Sequence, residues 1–394
     1  MKKTDVKNNE VRIGIIGVGG MGSYHARNNF KNVSNCRLTA FCDIDRAKAD
    51  ALAAELGAKA YYDSNALIKS GEVDMILVAT PHYDHTPICI AGLDAGLHVL
   101  SEKPIAVHKA DAEEMIKAGK RNPKLRFGAM FQLRTIAAHR KLKEVIGSGE
   151  LGDIRRINWI NTDWYRTQSY YDSGGWRATW AGEGGGVLLN QCPHNLDLFQ
   201  WWFGMPSKVR AFCELGKWHD IEVEDEVTAF LSYPNGATAV FITGTGEYPG
   251  TNRLEVACDR GRLLFENGKI LFKRTECLVS EDLKTNPAGF SGPPVWDVEI
   301  PVGGNSPNLH GNVLQAFVDG ILDPKAELVA RAEEGIRSVE LANAMLYSSL
   351  EGRTMDLPLD GSAFKAKLKG MIKKSKFIKK ASRTKVGDFT ASFK

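Results

Sequence analysis

The chain has 394 residues, 43% of them hydrophobic and 25% charged, with a formal net charge of +4. That length allows two domains with a smaller appendage, and the composition excludes a disordered, collagen-like or disulfide-stapled chain. The charge is uneven: from Gly361 to Lys394, 11 Lys plus Arg stand against one Asp, which leaves the preceding 360 residues at −6.

The first ten residues are polar and lead into a short apolar stretch at Ile13–Ile16. This is too short for a signal-peptide core, and no run of 18 apolar residues occurs. A cytoplasmic protein with no membrane partner is expected. The seven cysteines are scattered, with no C-x-x-C pair, and predict free thiols.

Residues 11–131 alternate apolar, β-rich runs with segments of helical composition. The runs are Val11–Ile16, Arg37–Cys42, Met75–Ala79, His98–Leu100 and Leu125–Met130; the helices are Arg46–Leu56, Asp84–Ala95 and Lys109–Arg121. Such alternation predicts an α/β unit, a doubly wound parallel sheet with helices on both faces. After residue 150 the pattern changes. Ile154–Trp164 reads as one long strand and Pro193–Phe203 as a helix. Strands follow at Lys208–Leu215, Val227–Tyr233 and Ala237–Thr245, the last two joined by Pro234-Asn-Gly236, whose Asn-Gly supplies positive φ for a hairpin. Arg253–Cys258 and Arg262–Phe265 flank a second hairpin signal, Asp259-Arg-Gly261, and helices at Asn308–Ile321 and Ala330–Leu350 close the body. This half predicts an α+β unit with a large, mainly antiparallel open sheet. The expected regions are therefore 1–135, 136–355 and a basic extension, 356–394. In the extension, Phe364–Ile372 carries an apolar residue every three or four positions. The favoured reading is a solvated segment packed loosely on the acidic body; an arm across a subunit boundary is the second. Nucleic acid is not expected, because no aromatic stacking platform accompanies the lysines.

Gly17-Val-Gly-Gly-Met-Gly22 fits G-x-G-x-x-G directly after the first strand and before a helix. Gly17 permits the tight turn, Gly19 lets backbone approach a pyrophosphate, and Gly22 lets helix and strand pack. The alternative is a glycine-rich turn with no ligand. Asp43 ends the second strand, where a carboxylate accepts hydrogen bonds from ribose hydroxyls and repels a 2′-phosphate, so NAD is favoured over NADP. Arg46 nearby partly offsets that repulsion. His82, His85 and His98 have no carboxylate partner at metal-ligand spacing, so no metal is expected.

Four strings together resemble the glucose–fructose oxidoreductase/inositol dehydrogenase (Gfo/Idh/MocA) family. They are the glycine motif, Thr80-Pro81 with His82 and His85, Ser101-Glu-Lys-Pro104, and Gly184-Gly-Gly-Val-Leu-Leu-Asn-Gln-Cys-Pro-His194. The resemblance implies an N-terminal Rossmann domain and a second α/β domain carrying the substrate cleft, in a homo-oligomer such as a dimer or tetramer. It implies an NAD site at Gly17, Gly19, Gly20, Met21, Gly22, Asp43, Ile44, Thr80, His82, His85, Glu102, Lys103 and Gln132. It also implies hydride exchange with a sugar or cyclitol carbinol. The chemistry needs a base near neutral pKa and a cation for the developing alkoxide, and His194 and Lys103 match the family's pair. Asn190 stands where the commoner family pattern has Asp; it orients an imidazole or binds a hydroxyl but holds no charge. With Asn190, the loop bearing Tyr165, Arg166, Tyr170, Tyr171, Trp176 and Arg177 is similar to the branch oxidising C3 of nucleotide-linked or glycosidic sugars. Arg166, Tyr170, Tyr171, Trp176, Arg177, Asn190, His194 and Lys103 are the expected substrate contacts, although any single aromatic can equally wedge the loop onto the sheet. Trp201 and Trp202 read as core. Inositol or cyclitol 2-dehydrogenation, NAD-dependent glycoside cleavage, and a non-catalytic NAD sensor are the alternatives.

Overall fold

A computed structural model describes residues 10–304 and 306–379. Its first sheet is parallel, with β1 (Val11–Ile16), β2 (Cys36–Cys42), β3 (Lys59–Tyr61), β4 (Met75–Val78), β5 (His98–Ser101) and β6 (Phe127–Ala129) in the order β3-β2-β1-β4-β5-β6. Between them run α1 (Gly20–Tyr24), α2 (Arg46–Leu56), α3 (Ser64–Ile68), α4 (His82–Asp94) and α5 (Lys109–Arg121). Every residue of β4 and β5 is buried, which is why these strands are continuously apolar rather than alternating. The order reverses between β1 and β4, so a crevice opens beyond their carboxyl ends. α1 is short; it widens into a π turn at His25–Asn29, a feature frequent at functional sites, and ends in a 3-10 turn at Phe30–Asn32. β3 escapes the sequence pattern because its three residues are exposed or half-exposed.

After α6 (Ala137–Gly147), a second sheet of nine strands has the order β14-β13-β12-β11-β7-β10-β9-β8-β15. Its strands are β7 (Ile154–Asn161), β8 (Lys208–Leu215), β9 (Glu224–Ser232), β10 (Thr238–Gly244), β11 (Asn252–Cys258), β12 (Gly261–Glu266), β13 (Lys269–Thr275), β14 (Val295–Ile300) and β15 (Met355–Asp356). β10 is parallel to β7, and the other pairings are antiparallel. The expected strand to Trp164 stops at Asn161. There the Asn161 side chain donates to Asp163 Oδ1 at 2.9 Å and accepts from Trp164 Nε1 at 2.8 Å, turning the chain out of the sheet. In the β9–β10 turn only Gly236 takes positive φ, +87°; Asn235 does not. α7 (Gln168–Asp172) and α9 (Val279–Thr285) are short, and α8 (Pro193–Phe203) packs on the inner face. Trp159, Phe199, Trp202 and Phe241 form the centre of that core, with ring centroids 5.2–6.4 Å from Trp159. Trp201 is only half-buried, beneath the Arg134 guanidinium at 5.1 Å.

α10 (Leu309–Leu322) and α11 (Ala332–Glu351) return to the first sheet, where Phe317 joins Val11, Ile13 and Leu100 in one cluster. The basic extension departs from expectation over its first part. α12 (Gly361–Lys374) is a docked helix, capped by Asp360, with Phe364 and Leu368 buried and Lys365 paired with Asp111 of α5. Residues 380–394 lie outside the described residues. All seven cysteines are free thiols, and no described helix is long and apolar enough to cross a membrane.

Candidate active site

The crevice between β1 and β4 opens into a cavity of about 2290 Å³ that continues to the second sheet. At its near end the glycine loop leaves β1. A Cβ on Gly22 would sit 1.9 Å from the Gly17 carbonyl oxygen, so helix and strand approach as only glycine allows. Around Gly19 nothing lies within 4 Å of a Cβ position, so the loop offers its backbone to the cavity, with Gly20 and Met21 lining it. Asp43 is the first residue beyond β2 rather than its last. Its Oδ2 accepts from Val18 N at 2.9 Å and its Oδ1 from Asp45 N at 2.9 Å, which fixes the carboxylate against the glycine loop. Ile44 is 93% exposed on the cavity rim. Arg46 lies 4.2 Å over the Tyr62 ring.

Further in, His82 and His85 share one face of α4. His85 is bracketed by the carbonyls of Pro104 and Thr80, at 2.9 and 2.8 Å. Thr80 Oγ1, Gln132 Oε1, Gln191 Oε1 and His194 Nδ1 belong to cavity-lining residues and are buried without a hydrogen-bond partner. Each such atom costs about 1–3 kcal/mol unless something bonds to it, so this wall is built to receive a polar ligand. With the open glycine loop, it fits a dinucleotide running from Asp43 to Lys103. Among the described residues, no group of three or more His, Cys, Asp or Glu is placed to hold a metal ion.

Lys103, just beyond β5, donates from Nζ to the Asn190 carbonyl at 2.8 Å, bridging the two halves of the chain. His194 is the second residue of α8; its Nε2 lies 3.2 Å from the Gln132 amide nitrogen, and its ring meets Phe131 edge-on. Burial, and then the Lys103 charge, hold His194 well below the ordinary imidazole range. Burial also lowers Lys103, against the pull of Glu102 and Glu183. Burial alone would raise Glu102, but a 2.6 Å contact with His25 Nε2 brings it down to about 2. His25 in turn faces Asn29 across the π turn, at 2.9 Å. These two residues, and His310 with its ring 5.4 Å from His25, are site features the sequence pattern misses, because nothing in it marks a π turn.

The opposite wall carries the aromatic loop. Arg177 lies 4.7 Å over both Tyr170 and Trp176, and its Nη1 donates to the Tyr170 hydroxyl at 2.8 Å. Arg166 lies 5.1 Å over Tyr170, whose hydroxyl also donates to Asn190 Oδ1 at 3.3 Å. Tyr171 corrects its expectation. It is 1% exposed, bonded to Thr245 Oγ1 at 2.8 Å and packed on His219, so it wedges the loop from behind rather than facing the cavity. The Asn190 amide donates to Glu183, a carboxylate the sequence reading passed over although it directly precedes the triple glycine. Arg134 ties the assembly together. Its guanidinium grips Asp197 of α8 through two 2.7 Å bonds, locking the Gln132–Thr135 turn to the helix that carries His194.

Residues 11–128 match the model of an oxidoreductase family with an NAD-binding Rossmann fold, and residues 139–264 match the GFO/IDH/MocA C-terminal domain. Myo-inositol 2-dehydrogenase of Thermotoga maritima is 28% identical over 266 residues, 65% of this chain and 75% of that one. Inositol 2-dehydrogenase of Salmonella typhimurium is 33% identical over 171 residues, 41% of this chain and 51% of that one, so the match spans about half its length. Among solved structures, the WlbA dehydrogenase of Chromobacterium violaceum, in complex with NADH and UDP-GlcNAcA, aligns with a TM-score of 0.76. The identity is 26%, over 90% of this chain and 98% of that one. With both family models matched in chain order on the two sheets described above, the chain belongs to the GFO/IDH/MocA family of oxidoreductases and carries its NAD-binding Rossmann domain.

Proposed function

We propose that the protein moves a hydride between NAD and a secondary carbinol, C3, of a sugar or glycoside, giving a 3-keto sugar. The observation that carries this is the pair Lys103 and His194, one from each half of the chain, on a single cavity wall beside Asn190. Bound NAD supplies the hydride acceptor, held by the glycine loop, Asp43, Ile44, Thr80, His82, His85, Glu102 and Gln132. His194, kept neutral by burial, takes the hydroxyl proton as the C–H electron pair leaves with the hydride. The Lys103 ammonium stabilises the alkoxide charge that develops. Asn190 Oδ1 and the Tyr170 hydroxyl offer partners to neighbouring hydroxyls. Trp176 presents a flat face to sugar C–H groups, and Arg166 and Arg177 present forks to anionic or hydroxyl groups. Asn190, which cannot ionise, and this loop favour C3 of a substituted sugar. The inositol 2-dehydrogenase relatives favour a second reading, a cyclitol carbinol served by the same pair. The outer face of the second sheet exposes Phe212, Phe230 and Leu271 at 59, 47 and 39%, which supports a homo-oligomer joined there.

The test is a screen for NADH formation across free sugars, cyclitols, uridine-diphosphate sugars and aryl glycosides. A substituted sugar is expected to score, with NAD preferred over NADP. On that substrate Lys103→Ala and His194→Ala each lose roughly 100-fold or more in kcat, with NADH binding kept. Full turnover by Lys103→Ala would sink the assignment.

A further inference from the structure

The Glu183 carboxylate is 1% exposed in the wall behind Asn190. Its Oε2 accepts from Ala178 N at 2.6 Å, and its Oε1 accepts from the Asn190 side-chain amide. An ionised carboxylate only accepts, so it leaves the amide one orientation, with Nδ2 toward Glu183 and Oδ1 toward the Tyr170 hydroxyl. The backbone carbonyl of the same Asn190 receives Lys103 Nζ. The charged and titratable groups facing this carboxylate come from five segments: Lys103 after β5, Arg177 and Tyr171 in the aromatic loop, Lys379 beyond α12, Glu224 of β9, and His82 of α4, whose Nδ1 lies 3.2 Å from the Glu183 carbonyl. Lys379 donates to the Arg177 carbonyl. The other acid near Lys103 is Glu102, whose Oε1 is engaged by His25.

We propose that Glu183 is a positioning residue of the reaction site, aiming the Asn190 amide oxygen at the substrate and balancing the Lys103 ammonium against Arg166 and Arg177. The reading rests on the role given to Lys103 above. Asn190 carries no charge, so the negative charge on this side of the lysine comes from the residue behind it. The environment of Lys103 agrees: burial lowers it, the two arginines add to that, and Glu102 and Glu183 oppose them.

Glu183→Gln keeps the shape, removes the charge and turns an N–H toward Asn190. The decisive measurement needs no substrate. In the full chain, reductive methylation of Lys103 by formaldehyde and cyanoborohydride is followed by mass spectrometry against pH, with NADH binding as the check on folding. Loss of one close opposite charge lowers a lysine pKa by about one or more. Lys103 in Glu183→Gln is therefore expected to label roughly tenfold faster near pH 8. Adding Asn190→Asp, which returns a carboxylate to the pair, restores the slow rate. Labelling of Glu183→Gln at the wild-type rate overturns the proposal. Should Glu183→Gln lose NADH binding, the test is the double variant against Asn190→Asp alone: faster labelling of the double variant supports the proposal, and equal labelling overturns it. On any sugar that scores in the screen, kcat falls in Glu183→Gln and recovers in the double variant, a rescue that a purely structural role does not give. If no sugar scores, the dehydrogenase reading fails while the labelling result stands.

Discussion

Arg134 shows how much of the site depends on one buried charge. Its side chain and that of Asp197 are 2% and 1% exposed, and Glu334 adds a second carboxylate to the guanidinium. Arg134→Leu leaves Asp197 buried without its cation, and breaking such a pair costs roughly 3–5 kcal/mol. We expect urea denaturation to show a loss of that size, and an unchanged midpoint would mean that the pair carries no weight. The residues that could be read in advance share a property: Lys103, Asn190 and His194 each sit in a contiguous string whose spacing is itself a signal. Glu183 acts through space on a neighbour seven positions away, and no string records that. Tyr170 and Tyr171 could not be separated either. On a helical turn adjacent side chains point about 100° apart, so one faces the cavity and the other the core, and sequence does not choose between them.

Among elements, α12 has the clearest energetic consequence. Phe364 is fully buried against Tyr347 of α11, with ring centroids 5.7 Å apart, although it belongs to the most basic stretch of the chain. Phe364→Ala removes a large buried ring and should cost roughly 3–5 kcal/mol, read as a lower urea midpoint. A loosely solvated tail predicts no change. The apolar spacing of this helix was legible, but its docking site was not, because Asp111 of α5 stands 254 positions from its partner Lys365. The same logic separates the strands. β1, β8 and the helices α2, α5 and α8 were legible to the residue, since burial on a face imposes a pattern. The short edge strand β3 and the exposed strand β14 bury too little to impose one. β9 starts earlier than its apolar run because it opens with Glu224 and Asp225, acids buried by hydrogen bonds rather than by apolarity.

For the molecule as a whole, acid is the solvent condition to which stability should respond most. Seven of the nine histidines are held below the ordinary range, each chiefly by burial, with His98 and His139 at about 4 and His310 at about 3. Such a ring stays neutral in the fold while the unfolded chain protonates near 6.5. Between about 6.5 and 4 the unfolded state therefore binds more protons, and stability falls as pH falls. Burial raises Asp163, Glu183 and Asp197, and Glu224 to about 7, and these work the other way, but four carboxyls face seven rings. The melting temperature is expected to drop steadily from pH 6.5 to 4.5; a flat profile would show the rings are not held neutral. The return of α10, α11 and α12 to the first sheet has a consequence of another kind, in time. At synthesis rates of about 5–20 residues per second, on the order of 10–50 s separate the emergence of β6 from that of α12. Throughout that interval the nascent first sheet lacks Phe317 in its core, the Arg331 bridge beside Gly128, and the helix that covers α5. A nucleotide-binding unit whose six strands all come from the first third of the chain thus stays unfinished on the ribosome until α12 has been made.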